Sequence, residues 1–243
     1  MLAKETGKYL LQHTYEQALK AKLPSQVIIA ADHQKIRDAA QSFGAPCVMT
    51  SPTHQSGTDR IAEAVANIDA DIIVNLQGDE PLIDPSHIDL VAELLINHED
   101  KSKIKNQKSK MPCPMATLAA PLTNPEQIAN PNIVKVITDL TGRAIYFSRS
   151  VIPYDRDAAG VGTNTPYYRH IGIYAYKKDF LMALTQLDQT PLEKTEKLEQ
   201  LRVLEQGYSI RVGQVTHVSD GIDTPQQYDC FVKAYQASPE HTI

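Results

Sequence analysis

The stretch Asp-Ile-Ile-Val-Asn-Leu-Gln-Gly-Asp-Glu-Pro at residues 71–81 decides the fold. Its apolar run ends in two acids, Asp79 and Glu80, with Gly78 directly before them and Pro81 directly after. The pattern predicts a buried strand that carries Asp79 to the carboxyl edge of a parallel sheet, where open α/β sheets bind ligands. A carboxylate at such an edge is a common ligand of Mg²⁺ when the substrate bears phosphates. Asp79 is therefore a candidate metal ligand, and a plain turn acid is the alternative.

Strand and helix patterns alternate on both sides of this stretch. The alternation predicts an α/β fold with a parallel sheet and helices on both faces. Predicted strands lie at 27–31, 47–49, 71–77 and 115–120, and predicted helices at 33–43, 57–68 and 86–97. The first predicted element is a helix at 8–21, whereas doubly wound folds usually open with a central strand followed by a phosphate-binding loop.

The second half of the sequence changes character. Two apolar segments, 133–138 and 144–148, flank the turn sequence at 139–142 and predict a β-hairpin. Further strands are expected at 171–176 and 209–215, and helices at 192–206 and 225–237, the last with a capping box. We therefore expect a mixed, hairpin-rich portion attached to the parallel sheet.

Composition limits the function classes. The net charge of −5 argues against a nucleic-acid-binding protein. No apolar run approaches the ~20 residues of a spanning helix, and residues 1–8 lack the apolar core of a signal peptide. We expect a cytoplasmic protein without membrane insertion. Five lysines within 101–110 predict a solvated loop insertion, with a polyanion site as the alternative.

A second acid and a polar loop are further candidates. Asp223 directly precedes a capped helix, where it is either a second Mg²⁺ ligand or a partner of the helix dipole. The loop at 53–60 leads into a helix N-terminus and offers polar groups to a base or ribose. Capping of that helix by Ser56 or Thr58 is the simpler interpretation.

Polar residues of the second half are the remaining candidates. Arg149 ends a strand and suits a forked contact with a carboxylate, although a salt bridge within the protein is the alternative. His170 follows another arginine and is either structural or ligand-binding. Glu196 and Gln200 are expected on one face of the 192–206 helix, as a solvated face or a site for a hydroxyl-rich ligand.

Six segments together resemble the 3-deoxy-manno-octulosonate (Kdo) cytidylyltransferases, also called CMP-Kdo synthetases. The Gln-Gly-Asp element alone recurs among nucleotidyltransferases, so the specificity of the resemblance comes from the combination. The segments, spread between about residues 7 and 236, are 54–60, 77–81, 146–149, 169–174, 198–202 and 223–225.

The resemblance implies one nucleotidyltransferase domain over 1–243 with a Rossmann-like, GT-A-like fold. That fold has a mostly parallel mixed sheet and a sugar-acid-binding and dimerisation subregion at about 132–215. The implied reaction converts CTP and Kdo into CMP-Kdo and pyrophosphate for lipopolysaccharide biosynthesis, in a cytoplasmic homodimer.

The resemblance also assigns residues to roles. It implies that Asp79 and Asp223 are catalytic and hold Mg²⁺, and that Arg149 meets the sugar carboxylate. The implied sugar-acid site consists of Arg149, His170, Tyr174, Glu199 and Gln200. The implied nucleotide site consists of His54, Gln55, Ser56, Gly57, Thr58, Arg60 and Gln77.

The start of the chain departs from the family pattern. Family members open with a strand and a basic loop that binds the triphosphate, and residues 2–8 resemble the segment just downstream of that loop. Either Met1 is an internal methionine, or the chain is truncated and we expect weak folding and negligible activity. The alternatives to the main interpretation are a non-catalytic remnant or binding protein, and a cytidylyltransferase for another nonulosonic or amino-sugar acid.

Overall fold

The computed structural model describes residues 1–54, 56–96, 112–219 and 221–237. Gln55 and the lysine-rich segment 101–110 lie outside these residues. The helices are α1 Leu10–Ala18, α2 Gln34–Ser42, α3 Gly57–Val65, α4 Pro85–Ile96, α5 Pro125–Ala129, α6 Lys178–Leu184, α7 Pro191–Glu196, α8 Gln200–Glu205 and α9 Pro225–Ala237. The strands are β1 Ile29–Ala31, β2 Cys47–Met49, β3 Ile72–Asn75, β4 Met115–Leu122, β5 Lys135–Thr138, β6 Ala144–Ser148, β7 Tyr167–Lys177 and β8 Ile210–Gln214.

The chain divides into two compact units. Unit 1 comprises residues 1–68, 76–89 and 219–243, and unit 2 comprises 69–75 and 90–218. In unit 1, β1 and β2 pair in parallel, as the alternation predicted. Leu11 of α1 and Ala40 of α2 are buried against these strands in a small apolar core.

Unit 2 is built on a six-stranded mixed sheet. The order is β6-β5-β7-β4-β8, and β3 also pairs with β7. The eleven-residue β7 runs antiparallel to β3, β4 and β5, whereas β4 and β8 are parallel. The α/β class and the mixed sheet are confirmed. The expectation of mostly parallel pairing is wrong for the described strands, because strand and helix alternation does not reveal that β7 inserts antiparallel to three of them.

The predicted hairpin is confirmed. β5 and β6 pair antiparallel around a turn in which Gly142 has a φ of +79°. Asp139 stabilises the turn, because its Oδ1 accepts the backbone N–H groups of Thr141 and Arg143 at 2.8 and 2.9 Å. The capping box of α9 is also present, with Thr224 and Gln227 bonding each other's backbone N–H.

The predicted helix at 192–206 is wrong, because it is two helices. Lys197 adopts the left-handed conformation, with φ 55° and ψ 47°, and separates α7 from α8. The guanidinium of Arg202 on α8 forms a forked ion pair with Glu193 on α7, at 2.6 and 2.8 Å. This buried pair holds the two helices in a bent arrangement, so tertiary contacts override the continuous helical pattern. Glu196 and Gln200 therefore do not share a helix face.

Among the helices that the structure describes, none combines the length and apolar character needed to cross a bilayer.

Candidate active site

Asp79 and Asp223 lie together in unit 1. The backbone carbonyl of Asp79 accepts the N–H of Ile222 at 2.8 Å, which joins the 76–89 segment to the residues before α9. Burial raises the pKa of Asp79 above its usual value, and the negative charge of Asp223 raises it further. Sequence spacing left open whether these acids meet, and the structure brings their segments together.

This pair fits a divalent cation. Two carboxylates that repel each other gain from a shared positive charge, and Mg²⁺ commonly takes one or two carboxylates plus phosphate oxygens and water. In the described part of the chain, no group of three or more His, Cys, Asp or Glu side chains is arranged to hold a metal. A cation between Asp79 and Asp223 would therefore complete its coordination with substrate and water.

The loop that carries Asp79 is fixed against α1. Thr14 Oγ1 donates a hydrogen bond to the carbonyl oxygen of Gly78 at 2.7 Å. A Cβ at position 78 would lie 2.8 Å from Met1 Cε and 3.1 Å from Leu11 Cδ1. Glycine therefore permits the close approach that holds this loop in place.

The predicted nucleotide loop lies at the start of α3, also in unit 1. Ser56 Oγ accepts the N–H of Asp59 at 3.1 Å, so its capping role is confirmed. His54 hydrogen-bonds to Glu63, and Arg60 pairs with Asp32. These contacts fix the loop from both sides.

Two further members of the predicted nucleotide set lie close together. A Cβ added to Gly57 would be 4.0 Å from Gln77 Nε2, so the structure brings Gln77 to the 54–60 loop. Thr58 is buried in the first turn of α3.

Four residues of the predicted sugar-acid set gather in unit 2. The rings of His170 and Tyr174 lie 5.4 Å apart. Tyr174 Oη donates to Gln200 Oε1 at 3.4 Å. Tyr174, Glu199 and Gln200 line a cavity of about 20 Å³. That volume holds about one water molecule and is too small for a sugar. The cavity shows only where the polar atoms of these side chains come together.

Two members of this group, His170 and Tyr174, are neutral hydrogen-bonding side chains. Burial, with the charge of Arg169, lowers the pKa of His170 to about 3, so its imidazole is neutral at physiological pH. Burial raises the pKa of Tyr174, which keeps its hydroxyl protonated. Gln200 Nε2 is buried with no hydrogen-bond partner among the described residues. An unsatisfied buried donor favours a ligand acceptor.

Arg149 lies at the end of β6, held from several directions. Its Nε donates to the carbonyl oxygen of Glu196 at 2.7 Å, and its Nη1 donates to the carbonyl oxygen of Pro131 at 3.1 Å. Its backbone N–H donates to Glu196 Oε2 at 3.0 Å. No bond to Nη2 is found within the described ranges, which leaves this nitrogen for a ligand.

Sequence reasoning missed Thr117 and Lys135. Thr117 is fully buried in β4, and its Oγ1 lies 3.0 Å from His170 Nε2. Lys135 is fully buried in β5, and its Nζ lies 2.6 Å from the carbonyl oxygen of Arg149. The available signal was a polar residue inside an apolar strand pattern, which predicts a specific buried partner.

Known proteins resemble this chain over nearly its full length. Residues 2–210 match the family model for cytidylyltransferases. The 3-deoxy-manno-octulosonate cytidylyltransferase of Solibacter usitatus is 44% identical over 238 residues, covering 98% of this chain and 88% of the relative. The enzyme of the same description from Geobacter metallireducens is 45% identical over 240 residues, covering 96% and 89%.

A solved structure agrees with these relatives. It is a CMP:2-keto-3-deoxy-manno-octonic acid synthetase complexed with CTP, with a TM-score of 0.85 and 36% identity. The alignment covers 96% of this chain and 90% of the solved one. Sequence and fold together lead to one conclusion: the chain belongs to the 3-deoxy-manno-octulosonate cytidylyltransferase family.

Proposed function

We propose that this chain transfers CMP from CTP to Kdo, giving CMP-Kdo and pyrophosphate. The observation that carries the proposal is that the fold joins the segments of Asp79 and Asp223, far apart in sequence, through the bond from Ile222 N–H to the Asp79 carbonyl oxygen, in a chain of this family. The anomeric hydroxyl oxygen of Kdo forms a bond to the α-phosphorus of CTP as the bond to pyrophosphate breaks, and the hydroxyl proton leaves to solvent. No covalent enzyme intermediate is needed.

Residues of unit 1 supply the charge arrangement for this reaction. Asp79 and Asp223 would hold Mg²⁺ through their carboxylate oxygens. When bound, Mg²⁺ neutralises phosphate charge and orients the reacting groups. Asp79 must be ionised for this role, although its pKa is raised by burial and by Asp223.

The loop at the start of α3 is our proposed cytidine site. Its backbone N–H groups lie at a helix N-terminus, which favours polar and anionic ligands. The proposed contacts are the seven residues His54, Gln55, Ser56, Gly57, Thr58, Arg60 and Gln77.

Residues of unit 2 supply recognition of the sugar acid. Arg149 would bind the carboxylate through Nη2, because its other nitrogens are already held by the protein. The Tyr174 hydroxyl, the neutral His170 ring and Gln200 Nε2 would bind sugar hydroxyls, with Glu199 as an acceptor. Catalysis then depends on positioning and on charge stabilisation.

We also propose that the enzyme is a cytoplasmic homodimer that supplies CMP-Kdo for lipopolysaccharide biosynthesis. Four large apolar side chains are exposed among the described residues of the 132–215 subregion. They are Leu140, Ile145, Tyr154 and Leu192. Exposed large apolar groups are compatible with an interaction surface, and sedimentation would test whether a second copy covers them.

The direct test is pyrophosphate release by this 243-residue chain from CTP, Kdo and Mg²⁺, with the product mass measured. We expect release that depends on both substrates and a product with the mass of CMP-Kdo. Parallel reactions with N-acetylneuraminate and other nonulosonic acids test the choice of sugar acid. No release with any acid would contradict the proposal and favour a non-catalytic binding protein.

A further inference from the structure

Lys135 is a fully buried lysine whose bonds are all to carbonyl oxygens. Its Nζ donates to Asn130 O at 3.0 Å, Ile133 O at 2.7 Å and Arg149 O at 2.6 Å. Three donated bonds require the protonated ammonium, because a neutral amine has two hydrogens. Burial and the charge of Arg149 lower the pKa of Lys135, so both disfavour its charged form. The three bonds to carbonyl oxygens favour the charged form.

Lys135 and Glu196 hold the backbone of Arg149 from two sides. Lys135 and Ser148 are directly opposite in the β5–β6 register, and Arg149 is the next residue. Glu196 receives the Ser148 hydroxyl at 2.6 Å and the Arg149 backbone N–H at 3.0 Å. The carbonyl of Arg149 is thus held by Lys135, and its N–H by Glu196.

The local charge is positive. Lys135 and Arg149 contribute two positive charges, and Glu196 contributes one negative charge. A bound carboxylate would reduce this excess. An apolar side chain of similar length would fill the space without the desolvation cost of a buried ammonium, so packing alone does not account for lysine here.

We propose that Lys135 is a positioning residue for carboxylate recognition, holding the Arg149 backbone and adding positive potential where the sugar acid binds. This inference rests on the proposed function and deepens it. Lys135 acts by holding the Arg149 backbone and through its charge, and it does not touch the ligand.

The test is calorimetric binding of Kdo and of its methyl ester to the wild-type chain and to Lys135→Met. Methionine keeps much of the volume and removes the charge. We expect the Kd of Kdo to rise at least about tenfold in the variant, while the Kd of the ester, which lacks the negative charge, changes much less. A general loss of structure would weaken both ligands equally, so the difference between acid and ester is the decisive readout.

Two variants serve as controls. Val136→Ala alters the next residue of β5, which is buried but makes no bond to Arg149, and should leave the acid-to-ester ratio unchanged. If Lys135→Met does not fold, Lys135→Gln answers the same question, because it removes the charge but keeps two N–H donors. Thermal unfolding followed by circular dichroism identifies variants that do not fold.

The outcomes separate the two proposals. Equal weakening of acid and ester, or no weakening, would overturn the role of Lys135. A wild-type chain that binds Kdo but releases no pyrophosphate would contradict the proposed reaction while leaving the role of Lys135 supported by the ratio. A wild-type chain that binds no Kdo would contradict both.

Discussion

The acid pair of unit 1 (Asp79 and Asp223) and the charged cluster of unit 2 (Lys135, Arg149 and Glu196) differ in how their charges are compensated. Burial raises the pKa of Asp79, and the like charge of Asp223 raises it further. Around Arg149, in contrast, Lys135 and Glu196 satisfy most polar atoms within the protein. The comparison indicates that a bound cation would stabilise the acid pair, whereas the backbone around Arg149 is already held by bonds within the protein. Five predictions test this difference, from the largest expected effect to the smallest.

Removing the charge of Asp79 should abolish most activity without destabilising the chain. We expect Asp79→Asn to lower kcat about 10²–10³-fold, because a group that stabilises transition-state charge is lost. The melting temperature should stay equal or rise, since repulsion with Asp223 is relieved. Pyrophosphate release and thermal unfolding measure the two effects.

Asp229→Asn is the matched control, because it changes an exposed acid on α9. An Asp79→Asn chain that unfolds at lower temperature than this control would contradict the idea that the acid pair is strained without its cation.

Breaking the buried ion pair between Arg202 and Glu193 in unit 2 should destabilise the fold, unlike the change at Asp79. Arg202→Met leaves the Glu193 carboxylate buried without its forked partner, and both side chains are under 8% exposed. We expect the free energy of unfolding to fall by about 3 kcal/mol, measured by urea denaturation. The double variant Arg202→Met with Glu193→Leu should recover part of the loss, and no recovery would show that the cost arises from packing instead.

Tyr174→Phe should weaken sugar-acid binding alone. It removes the hydroxyl that donates to Gln200, and we expect the KM for Kdo to rise about tenfold with the KM for CTP within about twofold. Tyr208→Phe, which alters a tyrosine of unit 2 outside the predicted site, is the control. Equal changes in both KM values would argue against a dedicated role for Tyr174.

The acid limb of the pH–rate profile should depend on the acid pair. A raised pKa means that Asp79 protonates at higher pH than an ordinary aspartate, so activity should fall as the pH drops through that value. A higher Mg²⁺ concentration competes with the proton for the carboxylate of Asp79. Asp223→Asn should also lower the pKa of Asp79, because it removes the neighbouring negative charge. The midpoint of the acid limb should therefore move to lower pH with increasing Mg²⁺, and a midpoint independent of Mg²⁺ would contradict the assignment.

The same shift has a defined sign for stability. Because the folded-state pKa of Asp79 is raised, the folded chain binds this proton more tightly than the unfolded chain does. The contribution is fully present below the unfolded pKa and is lost as the pH rises through the folded pKa.

The smallest expected effect concerns the break between α7 and α8. Lys197→Gly should raise the free energy of unfolding by about 0.5 kcal/mol, because glycine adopts the left-handed conformation without steric cost. Lys194→Gly, inside α7, should lower it by about 1 kcal/mol. Urea denaturation measures both, and the same sign for both would contradict the conformation found at Lys197.

Local pattern predicted most elements but not their neighbours in space. The β5–β6 hairpin and the α9 capping box depend on residues close in sequence, and both predictions are confirmed. The antiparallel direction of β7 and the break at Lys197 depend on contacts between distant residues, and the sequence pattern did not reveal them. Candidate site residues were found by type and by family resemblance, but their pairing, as in Asp79 with Asp223, required the fold.

The buried residue Lys135 shows the same limit. Its position in an apolar strand pattern was visible, yet its three carbonyl partners come from a loop and from the end of the next strand. No spacing rule connects those atoms before the sheet is formed.

The central claim is that Asp79 and Asp223 together form a divalent-cation site that a nucleotide completes. Mn²⁺ binding in the presence of CTP, followed by electron paramagnetic resonance, tests it most directly. We predict one bound Mn²⁺ per wild-type chain and none in the double variant Asp79→Asn with Asp223→Asn under the same conditions. Equal Mn²⁺ binding by the two chains would contradict the account.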